Sequence, residues 1–249
     1  MPAKVGKQFE KGGIMIVQKN EFSFQVAGPC ALFSDPVTRI GGQKCSYPVP
    51  TYGALKGITK NIYHKPCMQH FIRRIRVMNP ICMESKGVRP IHYQDSKNDL
   101  AYYTYLADVC YQVEGYFEWN QNRPEFQADW NVNKHGAIME RSIREGGRRP
   151  IFLGTRDGMG LVEPCVFGSG VGAYDSLDKP MDLGLMLHGI TYPDEAYSDA
   201  TRGMMTAQMW HAVMQPGGII EFPRPEECTL SKPIRPMKMK VFDVRKGDD

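Results

Sequence analysis

Hydrophobic and polar positions alternate with a period of two in several stretches of the chain and recur with a period near 3.6 in two others. Within residues 14–33, Phe22, Phe24 and Val26 alternate with polar neighbours until Gly28-Pro29 breaks the run, which predicts a strand. Residues 34–50 carry three prolines and a Gly-Gly pair and read as a long loop, the kind of segment that often carries function. Thr51 is placed to cap a helix running to about Lys65, with Ala54, Leu55, Ile58 and Ile62 along one face and Pro66 beyond its end. A second strand is predicted over 71–83, with Phe71, Arg73, Ile75 and Val77 on one face and Ile72, Arg74 and Arg76 on the other. A basic, turn-like SKGVRP segment follows it. Residues 100–119 are rich in aromatic and β-branched side chains and suit a long strand or a hairpin. Asn133 is placed to cap a second helix over 134–145, with Ile138, Met139 and Ile143 facing the core and Gly146-Gly147 ending it. Residues 148–156 read as a short strand with basic ends.

The order strand, helix, strand, strand, helix, strand is the split β-α-β layout of a ferredoxin-like or RNA-recognition-type domain. After Asp157 the texture changes. Glycines 158, 160, 168, 170 and 172 mark a loop, and the apolar runs 183–192, 217–223 and 237–244 read as strands of a smaller second sheet. The expected fold is therefore α+β, a ferredoxin-like domain over 1–172 with a β-rich C-terminal extension over 173–249.

Composition narrows the function classes only slightly. At 249 residues and 42% apolar content, the chain has enough material for a substantial core without disulfides, and no run approaches the roughly 18 apolar residues of a membrane span. The basic start, Met1 to Lys11, has no long apolar region after it, so a secretory leader is not expected and a cytoplasmic location is. A net charge of +4 permits a polyanionic partner without demanding one. Seven cysteines, at 30, 45, 67, 82, 110, 165 and 228, show no C-x-x-C spacing. They read as reduced buried thiols, with no metal site and no cofactor expected.

The candidate chemistry is concentrated in a few places. Lys134-His135 stands at the start of the second predicted helix, where two donors and the positive helix terminus suit a phosphate. Arg141, Arg144, Arg148, Arg149 and Arg156 follow, against only Glu140 and Glu145. Tyr47 lies in the loop before the first helix, and His64-Lys65 at the end of that helix suits its dipole. His70, His92, His188 and His211 lack ligand-type spacing. Gly168 to Ala173 matches a dinucleotide fingerprint formally, but no helical run follows it, so a glycine loop is the better reading.

Segments 46–66 (SYPVPTYGALKGITKNIYHKP) and 73–81 (RRIRVMNPI), joined by 26–36, 106–118, 133–147, 150–156 and 182–192, resemble the CRISPR-associated "Cas five" proteins of the subtype I-C (Dvulg) branch. The resemblance implies an RNA-recognition-type fold and an endoribonuclease that cuts precursor crRNA within the repeat, at the base of a stem-loop, without metal. It also implies retention of the crRNA 5′ handle and assembly with the backbone and large subunits of the type I-C Cascade complex. The family's three catalytic positions fall on Tyr47, Lys134 and His135. On that reading His135 is the general acid or base, Lys134 the positive charge on the scissile phosphate, and Tyr47 the group that orients the 2′-hydroxyl or the leaving oxygen. RNA contacts are expected from Arg73, Arg74, Arg76, Lys86, Arg89, Arg141, Arg144, Arg148, Arg149 and Arg156. One departure is Met83 to Pro90, where relatives carry an arginine-arginine-asparagine-glutamate segment; Lys86 and Arg89 keep basic charge there. Two rival readings remain: a silent handle-binding subunit of the same complex, and an unrelated small-molecule enzyme using the glycine loop.

Overall fold

The structure, a computed structural model, describes residues 20–89 and 100–239. Its elements in chain order are β1 (Glu21–Ala31), β2 (Lys44–Cys45), α1 (Tyr52–Ile62), β3 (Met68–Val77), β4 (Cys82–Val88), β5 (Ala101–Trp119), α2 (Val132–Arg144), β6 (Ile151–Phe152), β7 (Met159–Pro164), β8 (Met181–Thr191), β9 (Met204–Met214), β10 (Ile219–Glu221) and β11 (Leu230–Pro236). The main sheet has the order β10-β3-β5-β1-β7-β6, and the pairs β3–β5, β5–β1 and β1–β7 are all antiparallel. Together with α1 and α2 this is the ferredoxin-like β-α-β-β-α-β arrangement, α+β as the patterning predicts.

The core forms where the apolar faces meet. Phe22, Phe24 and Val26 of β1, Ile72, Ile75 and Val77 of β3, and Val113 and Phe117 of β5 are buried with Leu55, Ile58 and Ile62 of α1 and Met139 and Ile143 of α2. Fully burying one such side chain is worth about 1.5–3 kcal/mol, so these faces decide which side of the sheet the helices cover. Strand β3 departs from simple alternation. Its register against β5 shifts between Ile72 and Arg74, and this bulge puts Ile72, not Phe71, into the core with Ile75 and Val77.

Several segments differ from the expectation. The turn-like SKGVRP segment is mostly strand: β4 pairs antiparallel with the first half of β5, Cys82 opposite Ala107 through Val88 opposite Ala101. A single 19-residue β5 thus replaces the hairpin alternative. The fourth ferredoxin strand is mainly β7, inside the stretch read as a glycine loop, while β6 supplies only two residues to the edge. Asn131, not Asn133, caps α2: its Oδ1 accepts from the Lys134 N–H at 3.1 Å.

The C-terminal extension is β-rich, with β11-β9-β8 forming a three-stranded sheet. Strands β9 and β11 carry no signal strong enough to have been predicted. Strand β10, expected in that second sheet, instead pairs with β3 at the edge of the main one. Met186, Trp210, Met214 and Phe222 join the same core as the ferredoxin-like part, so the boundary near 172 does not separate two cores. Of the expected strand at 237–244, residues 237–239 are not strand and the rest lies outside the described residues, as does His92.

Candidate active site

The helix pair sets the site. α1 starts at Thr51, whose Oγ1 accepts from the Ala54 N–H at 3.2 Å, and it ends at Tyr63, which has left helical conformation. The start of α2 lies against that end. The Tyr63 hydroxyl is 2.7 Å from His135 Nδ1, with the two rings stacked at 5.9 Å between centroids. Trp119, at the end of β5, meets the imidazole edge-on at 5.6 Å and stacks on Trp130 at 5.9 Å. His135 is 0% exposed.

The turn at Pro124–Asp129 closes the remaining side. His135 Nε2 lies 2.9 Å from the Asp129 carbonyl oxygen and 3.4 Å from Asp129 Oδ2. Lys134 pairs its ammonium with Oδ1 of the same carboxylate, and this contact holds the Asp129 carboxyl below the usual carboxylate range. Cys67, buried just before β3, places Sγ 3.9 Å from His135 Nε2 and 3.9 Å from Asp129 Oδ2. Burial first, then Asp129, push this thiol's pKa up against the smaller opposing charge of Lys65, so Cys67 carries its proton at neutral pH. Arg148 lies over the other face of the arrangement, its guanidinium carbon 4.7 Å from the Tyr63 ring centre and its Nε donating to Ser142 Oγ at 3.2 Å.

Tyr47 is elsewhere. It is buried, and its hydroxyl accepts from the Leu187 N–H of β8 at 3.2 Å; burial is the main cause that raises its pKa. β8 crosses the start of α1, where Gly53 and Gly189 meet without side chains between them. Tyr47 therefore belongs to the N-terminal end of α1 and the Lys134-His135 pair to its C-terminal end. Eleven helical residues separate them by about 16 Å. The structure brings together Lys134 and His135 and adds Tyr63, Cys67 and Asp129; it does not bring Tyr47 to them. Tyr63, Cys67 and Asp129 were not legible as site residues, since positions 63, 67, 129 and 135 share no motif spacing.

The expected RNA contacts divide into distinct environments. Arg76 is 5% exposed and its guanidinium donates to the Ser169, Gly170 and Gly217 carbonyls and to Asp175. That is a correction: Arg76 clamps the glycine loop, and a phosphate cannot reach it. The same loop gives its Gly168 and Gly172 N–H groups to Gln112 and Asp175, so those amides are spent and do not form a phosphate cradle. Arg73 pairs with Glu21 and Glu114, and Arg74 grips Glu114 with two hydrogen bonds of 3.0 Å; their charge is largely neutralised within the sheet. Lys86 pairs with Glu84 at 3.3 Å, and Arg89 is exposed past the end of β4. Arg141, Arg149 and Arg156 are exposed, and Arg144 reaches Glu140 only at 3.7 Å. Of these residues, Arg141, Arg144 and Arg149 give α2 and the segment after it basic surface open to a polyanion, and Arg156 adds a separate basic point in the β6–β7 turn, beside Thr155, which lines a cavity with Thr51 and Arg39.

Residues 22–221 match the Cas_Cas5d family, described as CRISPR-associated protein (Cas_Cas5). The CRISPR pre-crRNA endoribonuclease Cas5d of Thermus thermophilus is 26% identical over 181 residues, covering 69% of this chain and 73% of its own. A solved structure of a functionally uncharacterized protein, SMU1763c from Streptococcus mutans, is 38% identical with a TM-score of 0.69, covering 85% of this chain and 96% of its own. A solved CRISPR-associated protein is 33% identical with a TM-score of 0.68 over the same shares. With the ferredoxin-like sheet, the Lys-His start of α2 and a family match that runs through both, the chain belongs to the Cas5d family of CRISPR-associated proteins.

Proposed function

We propose that this chain cuts CRISPR precursor RNA, with Lys134 and His135 at the scissile phosphate. The observation that carries the reading is the lysine and imidazole at the first turn of α2, both engaged by one carboxylate, that of Asp129. An anion already occupies the place where a phosphate would bind. RNA phosphate competes with Asp129 for the ammonium, and displacement of the Asp129 turn frees His135 Nε2.

Cleavage by the neighbouring 2′-hydroxyl needs a base for its proton, charge on the phosphorane stabilised, and an acid for the leaving 5′-oxygen. His135 moves a proton through Nε2, Tyr63 bonded to Nδ1 holds the ring and can relay, and Lys134 carries the charge. Tyr47 is proposed to meet the RNA at a separate point, about 16 Å away along α1, and so to act on binding more than on the chemical step. The cut lies within the repeat at the base of a stem-loop, as the family resemblance implies, and the product's 5′ handle stays bound as the chain joins the backbone and large subunits of a type I-C Cascade complex. The relative named a pre-crRNA endoribonuclease supports the substrate class.

The burial of His135 favours a second reading, a silent handle-binding subunit of the same complex. Cognate repeat RNA incubated with the chain in EDTA separates the two. The endoribonuclease reading expects cleavage that leaves a 2′,3′-cyclic phosphate or 3′-phosphate and is blocked by one 2′-deoxynucleotide just upstream of the cut. Binding without cleavage, or normal cleavage of the deoxy substrate, overturns it.

A further inference from the structure

Cys67, Asp129 and His135 form a cluster that the cleavage chemistry does not use as a whole, because a buried thiol beside the imidazole has no part in proton transfer to RNA. Its geometry resembles one face of a tetrahedral metal site. A zinc ion with sulfur at about 2.3 Å and nitrogen and oxygen at about 2.0–2.1 Å sets ligand-to-ligand separations near 3.5 Å for the sulfur pairs and 3.3 Å for nitrogen to oxygen. The corresponding separations here are 3.9, 3.9 and 3.4 Å, so the two sulfur edges need to close by only a few tenths of an ångström. The three atoms come from separate elements, the end of the α1–β3 connection, the Pro124–Asp129 turn and α2, so a bound ion would tie those elements together.

We infer that Cys67, Asp129 and His135 form a binding site for one zinc-class divalent cation, and that its occupancy locks His135 away from RNA. A thiolate and an imidazole select a borderline or soft ion over magnesium or calcium, which take oxygen ligands. The partner of the other ring nitrogen fits this. For Nε2 to ligate, it must give up its 2.9 Å contact with the Asp129 carbonyl oxygen and Nδ1 must carry the proton, which the Tyr63 hydroxyl 2.7 Å away can accept as readily as it donates in the other tautomer. Metal binding releases the Cys67 proton. Asp129 becomes a fastener of the closed turn while its Oδ1 stays on Lys134, so a bound metal keeps the Asp129 carboxylate over Lys134 and His135, where the RNA phosphate would have to enter. The masking half of this inference rests on the proposed endoribonuclease reading; the binding half does not.

Titration of the full chain with zinc against a competing chelator, and with cobalt followed by absorption, tests the binding half. One equivalent should bind, with a thiolate-to-cobalt charge-transfer band. Both signals should be lost in Cys67→Ser and in Asp129→Ala, the latter a partly exposed side chain whose removal leaves no core cavity. Cys82→Ser, an exposed thiol, should bind as the parent does, and Tyr63→Phe should weaken binding about tenfold. A parent chain that binds no tighter than the two ligand variants, or a cobalt spectrum without sulfur ligation, overturns the site. In the second arm, zinc-loaded chain should cut repeat RNA more slowly than chain in EDTA. Equal rates with the metal bound overturn the masking. A chain that cuts under neither condition overturns the endoribonuclease reading instead, and the titration still decides the site.

Discussion

Lys134 and His135 are adjacent in the chain and sit in different media. The lysine side chain is about half exposed and held by a surface carboxylate, whereas the imidazole lies beneath Tyr63, Trp119 and the Asp129 turn. Their substitutions should separate accordingly. His135→Ala should keep RNA binding and lose about 10²–10⁴-fold in single-turnover cutting; Lys134→Ala should slow cutting and weaken binding together. Parental cutting by His135→Ala, measured with the repeat RNA, would show that the pair is only the start of a helix. Asp129→Ala should tighten RNA binding in a filter or anisotropy assay, because the ammonium no longer has an internal anion. A different carboxylate governs stability. Glu195 is held by Lys56 at 2.9 Å and Lys60 at 2.6 Å; burial pushes its pKa up, but the two lysines outweigh that and bring it to about 2. A carboxyl depressed on folding stabilises above its unfolded pKa, and that stability is lost as pH falls through the folded value. Glu195→Gln should therefore cost about 3 kcal/mol at pH 7 by chemical denaturation, and the gap to the parent should shrink from about pH 4.5 toward pH 2. A gap that stays constant over that range would remove the ion pair as its cause.

At the scale of elements, the ends of the helices decide which residues can act together. The end of α1 meets the start of α2, so Tyr63 joins His135 while Tyr47 stays with β8. Tyr47→Phe should consequently leave the single-turnover rate at saturating RNA within about tenfold of the parent, unlike His135→Ala. An equal loss in both variants would mean that bound RNA draws the two ends of α1 together. The turn between β6 and β7 is another strict element. Gly154 has φ +89°, and an added Cβ would lie 2.0 Å from the Leu32 carbonyl oxygen, next to the hydrogen bond from the Leu32 N–H to the Leu153 carbonyl. Gly154→Ala combines left-handed strain with a backbone clash and should destabilise by more than about 1 kcal/mol. A melting temperature equal to the parent's would show that the turn relaxes freely.

Across the whole molecule, a net charge of +4 conceals an uneven distribution. Arg73, Arg74 and Arg76 are consumed by carboxylates and carbonyls of the fold, while Arg141 and Arg149 remain exposed on and after α2 and Arg156 remains exposed in the β6–β7 turn. RNA affinity should therefore fall with salt, at about 0.7 log units per log unit of salt for each phosphate contact to a single strand. Arg141→Glu combined with Arg149→Glu should flatten that slope by about 1.4, whereas Arg76→Ala should lower the melting temperature by loosening the glycine loop. A slope unchanged by the double substitution would place the RNA on another face.

Much of this was legible in the sequence, for a physical reason. Period-two and period-3.6 patterning reports which face of an element is buried, so β1, α1, α2 and the ferredoxin-like order could be read from Phe22, Phe24, Val26, Leu55, Ile58, Met139 and Ile143 alone. The Lys-His pair was legible because neighbours in sequence stay neighbours in space. Strand pairing does not report itself in this way. Mostly polar, exposed β4, strand β7 and the edge strands β10 and β11 owe their conformation to hydrogen bonds with distant partners, and one bulge in β3 reversed which of Phe71 and Ile72 faces the core. Nor can a single sequence say where a long polar side chain finds its partner: Arg76 reads like its neighbours Arg73 and Arg74 until the Gly168–Asp175 loop folds over it. The convergence of Tyr63, Cys67, Asp129 and His135 was decided by tertiary structure alone, since the helix ends that bring these residues together are placed by packing of the core beneath them and not by any spacing along the chain.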